Sequence, residues 1–177
     1  MANKEALREL QNRLAERLKV ARSQARSVSW LAVECSGHGF LLPLHEAGEI
    51  FAPTAIVPVA HASPWFLGVA NLRGGLHGVV DLAGFLGIKK AADRPGEVAR
   101  DRAQLVAFNA ALDINCALWV DRLAGLRSAE QLATEPGTGE SRPSFVGGRY
   151  RDAAGRLWQE LLLSELAHHD AFLRVVG

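Results

Sequence analysis

The sequence predicts a mainly β protein, a small barrel or sandwich trimmed with helices at its start, middle and end. Three observations predict it. About nine short apolar segments follow a two-residue period or run as brief apolar stretches. Gly, Pro, Asn and Asp turn signals separate them at close spacing. The chain has 177 residues, 49% of them hydrophobic and 22% charged. That suits one domain able to bury a core without disulfide staples.

The first 27 residues stand apart. Leu7, Leu10, Leu14 and Leu18 recur at helical spacing, an apolar stripe on a helix over residues 3–26 that Asn3 could cap. Residues 1–28 hold seven basic side chains against three acidic ones, in a chain whose total charge is +1. A basic arm on a faintly acidic body is an interaction-tail pattern. The chain therefore divides into an N-terminal amphipathic basic helix, residues 1–27, and a β domain, residues 28–177.

From Val28 the period becomes two. Val28, Trp30 and Ala32 alternate with Ser29 and Leu31, Ser36-Gly37-His38-Gly39 supplies a turn, and Phe40 to Leu44 returns. Pro43 lacks an amide donor, which places that strand at a sheet edge. Glu46 to Ile50 is expected to form a short helical turn, and Ala55 to Val59 a strand interrupted by Pro58.

Residues 65–87, WFLGVANLRGGLHGVVDLAGFLG, are the most informative stretch. Strand 66–72 runs into Arg73-Gly74-Gly75, whose glycines allow the positive φ of a tight turn, and strand 76–80 follows. Asp81 is set to cap a short helix through Leu86 that Gly87 ends. Residues 89–102 read as a solvated loop. Gln104–Phe108 and Ile114–Val120 form a second hairpin, and residues 134–144 are turn-rich. Phe145–Arg151 and Arg156–Leu161 form a third hairpin. Ser164 is expected to cap a final helix through Phe172.

The residue types argue against catalysis. The six histidines, His38, His45, His61, His77, His168 and His169, include no pair at metal-ligand spacing; adjacent helical positions such as His168 and His169 point about 100° apart. There is no Gly-x-Ser-x-Gly elbow. Gly74-Gly75-x-x-Gly78 lacks the Gly-Lys-Ser/Thr ending of a phosphate loop and precedes a strand where such a loop opens a helix. Cys35 and Cys116 sit in separate apolar segments and read as buried free thiols of a reducing cytoplasm. No apolar run approaches the ~18 residues of a membrane span, and the polar N-terminus is no signal peptide. The expectation is a cytoplasmic, metal-free, cofactor-free protein that is neither membrane-inserted nor a nucleic-acid binder.

Arg73 is the candidate that remains. It follows an apolar strand, in a turn, with no acidic neighbour in sequence. Its charge must be met by a carboxylate elsewhere in the fold or by a partner, and Glu49, in Ala47-Gly48-Glu49-Ile50, is the expected mate.

The run Gly-Val, Asn-Leu-Arg-Gly and Val-Val-Asp-Leu within residues 65–82 resembles the hallmark of CheW-like domains, the chemotaxis coupling family. Glu49-Ile50, Leu118-Trp119-Val120-Asp121 and the closing Gly155-x-x-Trp-x-x-Leu-x-Leu are similar to further stretches of that family. The resemblance covers about residues 28–175. It implies two small five-stranded SH3-like barrels sharing a core. It also implies a non-catalytic adaptor, one surface of which takes the regulatory domain of a CheA-like histidine kinase. Another surface would take the cytoplasmic tip of a methyl-accepting chemoreceptor, so the protein would be associated with membrane receptor arrays.

Leu76-His77-Gly78 departs from the apolar residue and Pro that commonly precede Val-Val-Asp. With the basic first helix, this is more similar to the PilI-type adaptors of type IV pilus (twitching-motility) systems than to swimming-chemotaxis coupling proteins, which stay as the alternative. Two other classes compete: a ligand-binding barrel with a cleft joining His61 and His77, and a nucleic-acid-binding barrel using the basic arm. The candidate partner-binding or interface-orienting residues are Glu49, Leu72, Arg73, Gly74, His77 and Val79. Val69, Leu72, Leu76 and Val79 are expected to supply the core beneath them.

Overall fold

In the computed structural model, which describes residues 28–89, 102–137 and 141–176, the strand segments assemble into two sheets. The first contains β1 (Ser29–Cys35), β2 (His38–Pro43), β8 (Arg122–Ser128), β9 (Leu132–Glu135), β10 (Val146–Asp152) and β11 (Leu157–Leu161), in the order β8-β1-β2-β11-β10-β9. The second contains β3 (Ala47–Phe51), β4 (Phe66–Leu72), β5 (Gly75–Asp81), β6 (Gln104–Phe108) and β7 (Cys116–Val120), in the order β3-β6-β7-β5-β4. The chain thus begins in the first sheet, builds the second from its middle, and returns. Pairing is antiparallel except for β2 with β11 and β5 with β7.

Strand alternation sorts the apolar side chains into three cores. Leu31, Val33 and Phe40 of the first sheet meet Val80, Val106 and Leu118 of the second in a shared core. On the opposite faces of the same strands, Trp30, Ala32, Leu41 and Trp158 fill a core private to the first sheet. Leu72, Val79, Leu105 and Ala117 fill one private to the second. Burial on both faces explains why β1, β6 and β7 read as continuous apolar runs. The expected pair of units on a common core is present, though with six and five strands where five each were expected. The ladders also leave edges at β8 and β9, and at β3 and β4.

Among the described residues three short α-helices accompany the sheets: α1 (Leu82–Phe85), α2 (Leu163–Leu166) and α3 (Asp170–Leu173). Asp81 caps α1 as expected, accepting a bond from the Gly84 amide, and Gly87 ends the segment at φ +67°. Ser164 does not cap α2, which starts from Leu162; it lies inside the helix, and α3 is a separate turn.

Several local expectations yield to tertiary pairing. Residues 47–51 form β3 where a helical turn was expected, because Ile50 and Phe51 pair with Val106 and Leu105 of β6. Residues 55–59 form no strand; Val57 only bridges Val69. Strand β2 is interior despite Pro43, which is its last residue and lies beyond the β11 ladder at Gly39–Leu41. Strands β8 and β9 went unpredicted: β8 is an edge strand with no clean apolar alternation, and β9 begins just before the turn-rich stretch. The expected helix over 3–26 lies outside the described residues.

Candidate functional site

The β4–β5 hairpin closes on a two-residue turn, Arg73-Gly74, flanked by the pair Leu72 and Gly75. Both turn residues have positive φ, +50° and +85°, as a type I′ turn requires. Glycine adopts this freely, whereas for arginine it costs about 1–2 kcal/mol. The Asn71 side chain holds the turn by accepting the Gly74 amide at 2.8 Å.

Glu49 of β3 forms an ion pair with Arg73, the partnership expected from sequence. Strands β3 and β4 are the two outer strands of the second sheet, so the pair reaches from one edge strand to the turn beside the other. The Val57–Val69 bridge, with amide–carbonyl bonds of 2.8 and 2.9 Å, pairs the β3–β4 connection with β4. The ion pair and the bridge thus mark a seam at which β3, the β3–β4 connection and the hairpin meet by contacts other than a strand ladder. The side chains of Arg73 and Glu49 are 76% and 42% exposed, so the pair itself contributes about 0–1 kcal/mol. The chain elements meeting at this seam also carry the exposed apolar side chains of Ile50, Val57 and Leu76.

The six candidates therefore separate. Glu49, Arg73 and Gly74 lie together at the surface. Leu72 and Val79 are buried in the second sheet's own core, so they position the hairpin from beneath and cannot touch a partner. His77 is half-buried, its Nδ1 3.0 Å from the Gly75 carbonyl. Leu76, expected in the core, is 64% exposed, because it faces outward opposite Asn71. Val69 is half-buried.

Two carboxylate clusters lie elsewhere. Glu34 accepts from Arg122 Nε at 3.1 Å and Nη2 at 2.5 Å, and from Arg156 Nη1 at 2.5 Å. Burial pushes its carboxyl up, but the hydrogen bonds and attraction of the two arginines outweigh this and hold it below the ordinary carboxylate value. A carboxylate inside the apolar run Trp30–Cys35 is the sequence signal that could have revealed it. Buried Glu46 accepts from the Ser164 hydroxyl at 2.7 Å and amide at 3.1 Å, tying the start of β3 to α2.

Among the described residues no group of three or more His, Cys, Asp or Glu is placed to hold a metal. None of their helices is long and apolar enough to cross a membrane. Two cavities among the described residues, one beside β10 and β11 and one beside α1, are lined by neither His61 nor His77.

Known proteins resemble this chain. The sequence model of the CheW-like domain matches residues 29–171. Protein PilI of Pseudomonas aeruginosa is 30% identical over 169 residues, which span 92% of this chain and 88% of that protein. The crystal structure of the scaffolding protein TtCheW from Thermoanaerobacter tengcongensis aligns with a TM-score of 0.62, covering 76% of this chain and 88% of that one at 17% identity. That last likeness is one of fold.

Proposed function

The chain belongs to the CheW-like family, and on that premise we propose that it is a non-catalytic cytoplasmic adaptor coupling methyl-accepting chemoreceptors to a CheA-like histidine kinase, in an array that controls type IV pilus twitching motility. The 30% identity to Protein PilI supports the twitching branch over the swimming one. The observation that carries the reading is the Glu49–Arg73 pair. It is exposed, contributes little to stability, and sits on a turn whose arginine adopts an unfavourable backbone conformation. Strain retained at a surface that does not need it for folding is a mark of function.

An adaptor must hold two partners at a fixed mutual orientation. Two sheets, each packed on its own core and both locked on a common one, give two separate surfaces on one frame. Glu49, Arg73 and Gly74 provide one contact, and Leu72 and Val79 hold its backbone in place.

The test is reconstitution. The chain, a CheA-like kinase and vesicles bearing a chemoreceptor are mixed, and kinase recovered with the vesicles is measured with its autophosphorylation. Recovery and receptor-dependent activity should require the chain. Full recovery without it would reject the adaptor reading, and recovery with swimming-type but not pilus-type partners would reject the twitching branch.

A further inference from the structure

Past β11 the chain runs through α2 and α3, whose Leu163, Leu166 and Phe172 lie in the shared core, and then crosses to the second sheet. There residues 174–176 run antiparallel to residues 62–63 of the connection between β3 and β4. Val176 bridges Ala62. The Ser63 amide donates to the Val175 carbonyl at 2.7 Å, and the Ser63 hydroxyl to the Arg174 carbonyl at 3.4 Å. Just before this contact, the Phe172 ring stacks on Trp65 with centroids 6.2 Å apart and planes 12° apart.

The connection itself is lightly anchored. Ile56 packs against the second sheet's own core, Val57 exchanges amide–carbonyl bonds with Val69, and the Ser63 carbonyl accepts from the Phe66 amide. Residues 52–55 and 57–61 are exposed. Its turn holds His61 at φ +60°, a left-handed conformation that non-glycine residues seldom adopt. Such a conformation persists where the surrounding contacts over-determine it. Ala62 and Ser63, the next two residues, are the ones bonded to residues 174–176, and Val57 is bonded to β4 beside the Glu49–Arg73 pair. The turn at 58–61 is therefore clamped at both ends. Pro58 stiffens it, because its ring fixes φ.

We propose that residues 174–176 are a strap whose closing holds the turn at 58–61 and, through it, the Val57–Val69 bridge at the seam. When the strap releases Ala62 and Ser63, His61 is free to leave its left-handed conformation, and the short, stiff turn carries that movement to Val57. The strap is poised to open. It rests on a few bonds, and the flanking Leu173 and terminal Val176 of the contact are 49% and 63% exposed, so closing buries little apolar surface. Segments held in this way open at low free energy while the sheets stay folded. The strap thus links α3, at the shared core, to the seam. Its effect on coupling rests on the reading of the seam as a partner contact, whereas its effect on the bridge does not.

The test is amide hydrogen exchange, read by nuclear magnetic resonance, on the full chain and on a variant stopped after Leu173, which lacks the strap. The Val57 and Val69 amides should exchange about tenfold faster in the variant, the effect of losing one net hydrogen bond that favours the closed form. The Leu31 and Val33 amides of β1 should be unchanged, and circular dichroism monitors folding. If the shortened chain does not fold, Val175→Gly with Val176→Gly carries the test. It keeps every backbone donor and acceptor but makes the extended strap costlier to order, and it should speed the same two amides by a smaller factor. Unchanged exchange at Val57 and Val69 overturns the proposal. So does equal acceleration in β1, because residues 174–176 would then serve the common stability of the fold. In the reconstitution with kinase and receptor vesicles, the strapless chain should recover less kinase. Faster exchange at Val57 and Val69 with full kinase recovery upholds the strap and counts against the seam as a partner contact.

Discussion

Arg73 combines a pair of little energetic weight with a backbone conformation that disfavours it. Replacing it by glycine separates the two. Arg73→Gly removes the charge but relieves the positive φ, so stability should hold or rise by up to about 1 kcal/mol, while receptor or kinase coupling falls. Arg73→Glu with Glu49→Arg should recover part of the coupling if the pair orients the surface, and none if Arg73 touches a partner. A double-mutant cycle on complex affinity reads the difference; loss of folding without a separable coupling defect would make Arg73 a structural residue. Glu34 gives the pH prediction. Its carboxyl lies below the unfolded value of 4.5, so its stabilisation is complete above that value and is lost as pH falls through the lower folded pKa. Glu34→Gln should therefore be less stable than the parent at neutral pH, and the two urea midpoints should converge as pH falls below 4.5; parallel profiles would refute the linkage. Arg73 was legible in sequence because a turn arginine without a local acid poses a question that Glu49 answers. The links from Glu34 to Arg156 and from Glu46 to Ser164 cross 122 and 118 positions, and no local pattern announces them.

At the scale of elements, the β4–β5 hairpin and α1 were legible because each local signal agreed with the next: apolar alternation, a glycine turn, then an aspartate cap. Strand β3 was not, since Gly48 and Glu49 read as a turn until β6 supplies a ladder. Residues 55–59 were misread as a strand for the converse reason: they are apolar, but Pro58 withholds a donor, and only Val57 finds a partner in β4. Gly68 shows how closely that partner approaches. It sits at φ +133°, where the β4–β5 register shifts, and a Cβ there would overlap the Val57 carbonyl. Gly68→Ala should cost at least the ~1–3 kcal/mol of a forbidden backbone conformation and open the Val57–Val69 bridge. Gly37→Ala, also at positive φ but with open space around its Cβ, isolates the conformational part. Urea denaturation of both variants, with exchange of the Val57 and Val69 amides, checks this; equal losses in the two would show that the approach of residue 57 does not matter.

For the whole molecule, the shared core raises a question that neither sheet answers alone: whether two units with private cores unfold together. Cys35 of β1 and Cys116 of β7 report on it from opposite sides, since both belong to the shared core and are 1% and 5% exposed. Burial pushes each thiol up to about 12, so at pH 8 the folded protein presents almost no thiolate, and alkylation requires opening. If the shared core makes the sheets one cooperative unit, iodoacetamide should modify both thiols with the same opening free energy, once each rate is referenced to that thiol's rate in the unfolded chain. That free energy should equal the one from urea unfolding followed by circular dichroism, and Leu118→Ala, which leaves a cavity between the sheets, should lower all three together by about 2–5 kcal/mol. Should the second sheet open by itself, Cys116 and Cys35, which lies in the core shared with that sheet, would both react at a free energy below the global value. The surfaces on the two sheets would then be held by separate foldings, and a defect in one could not be felt at the other. Protection at the global value is instead what a rigid frame demands, because two partners bound to different sheets keep their relative orientation only as long as the layer between the sheets stays closed.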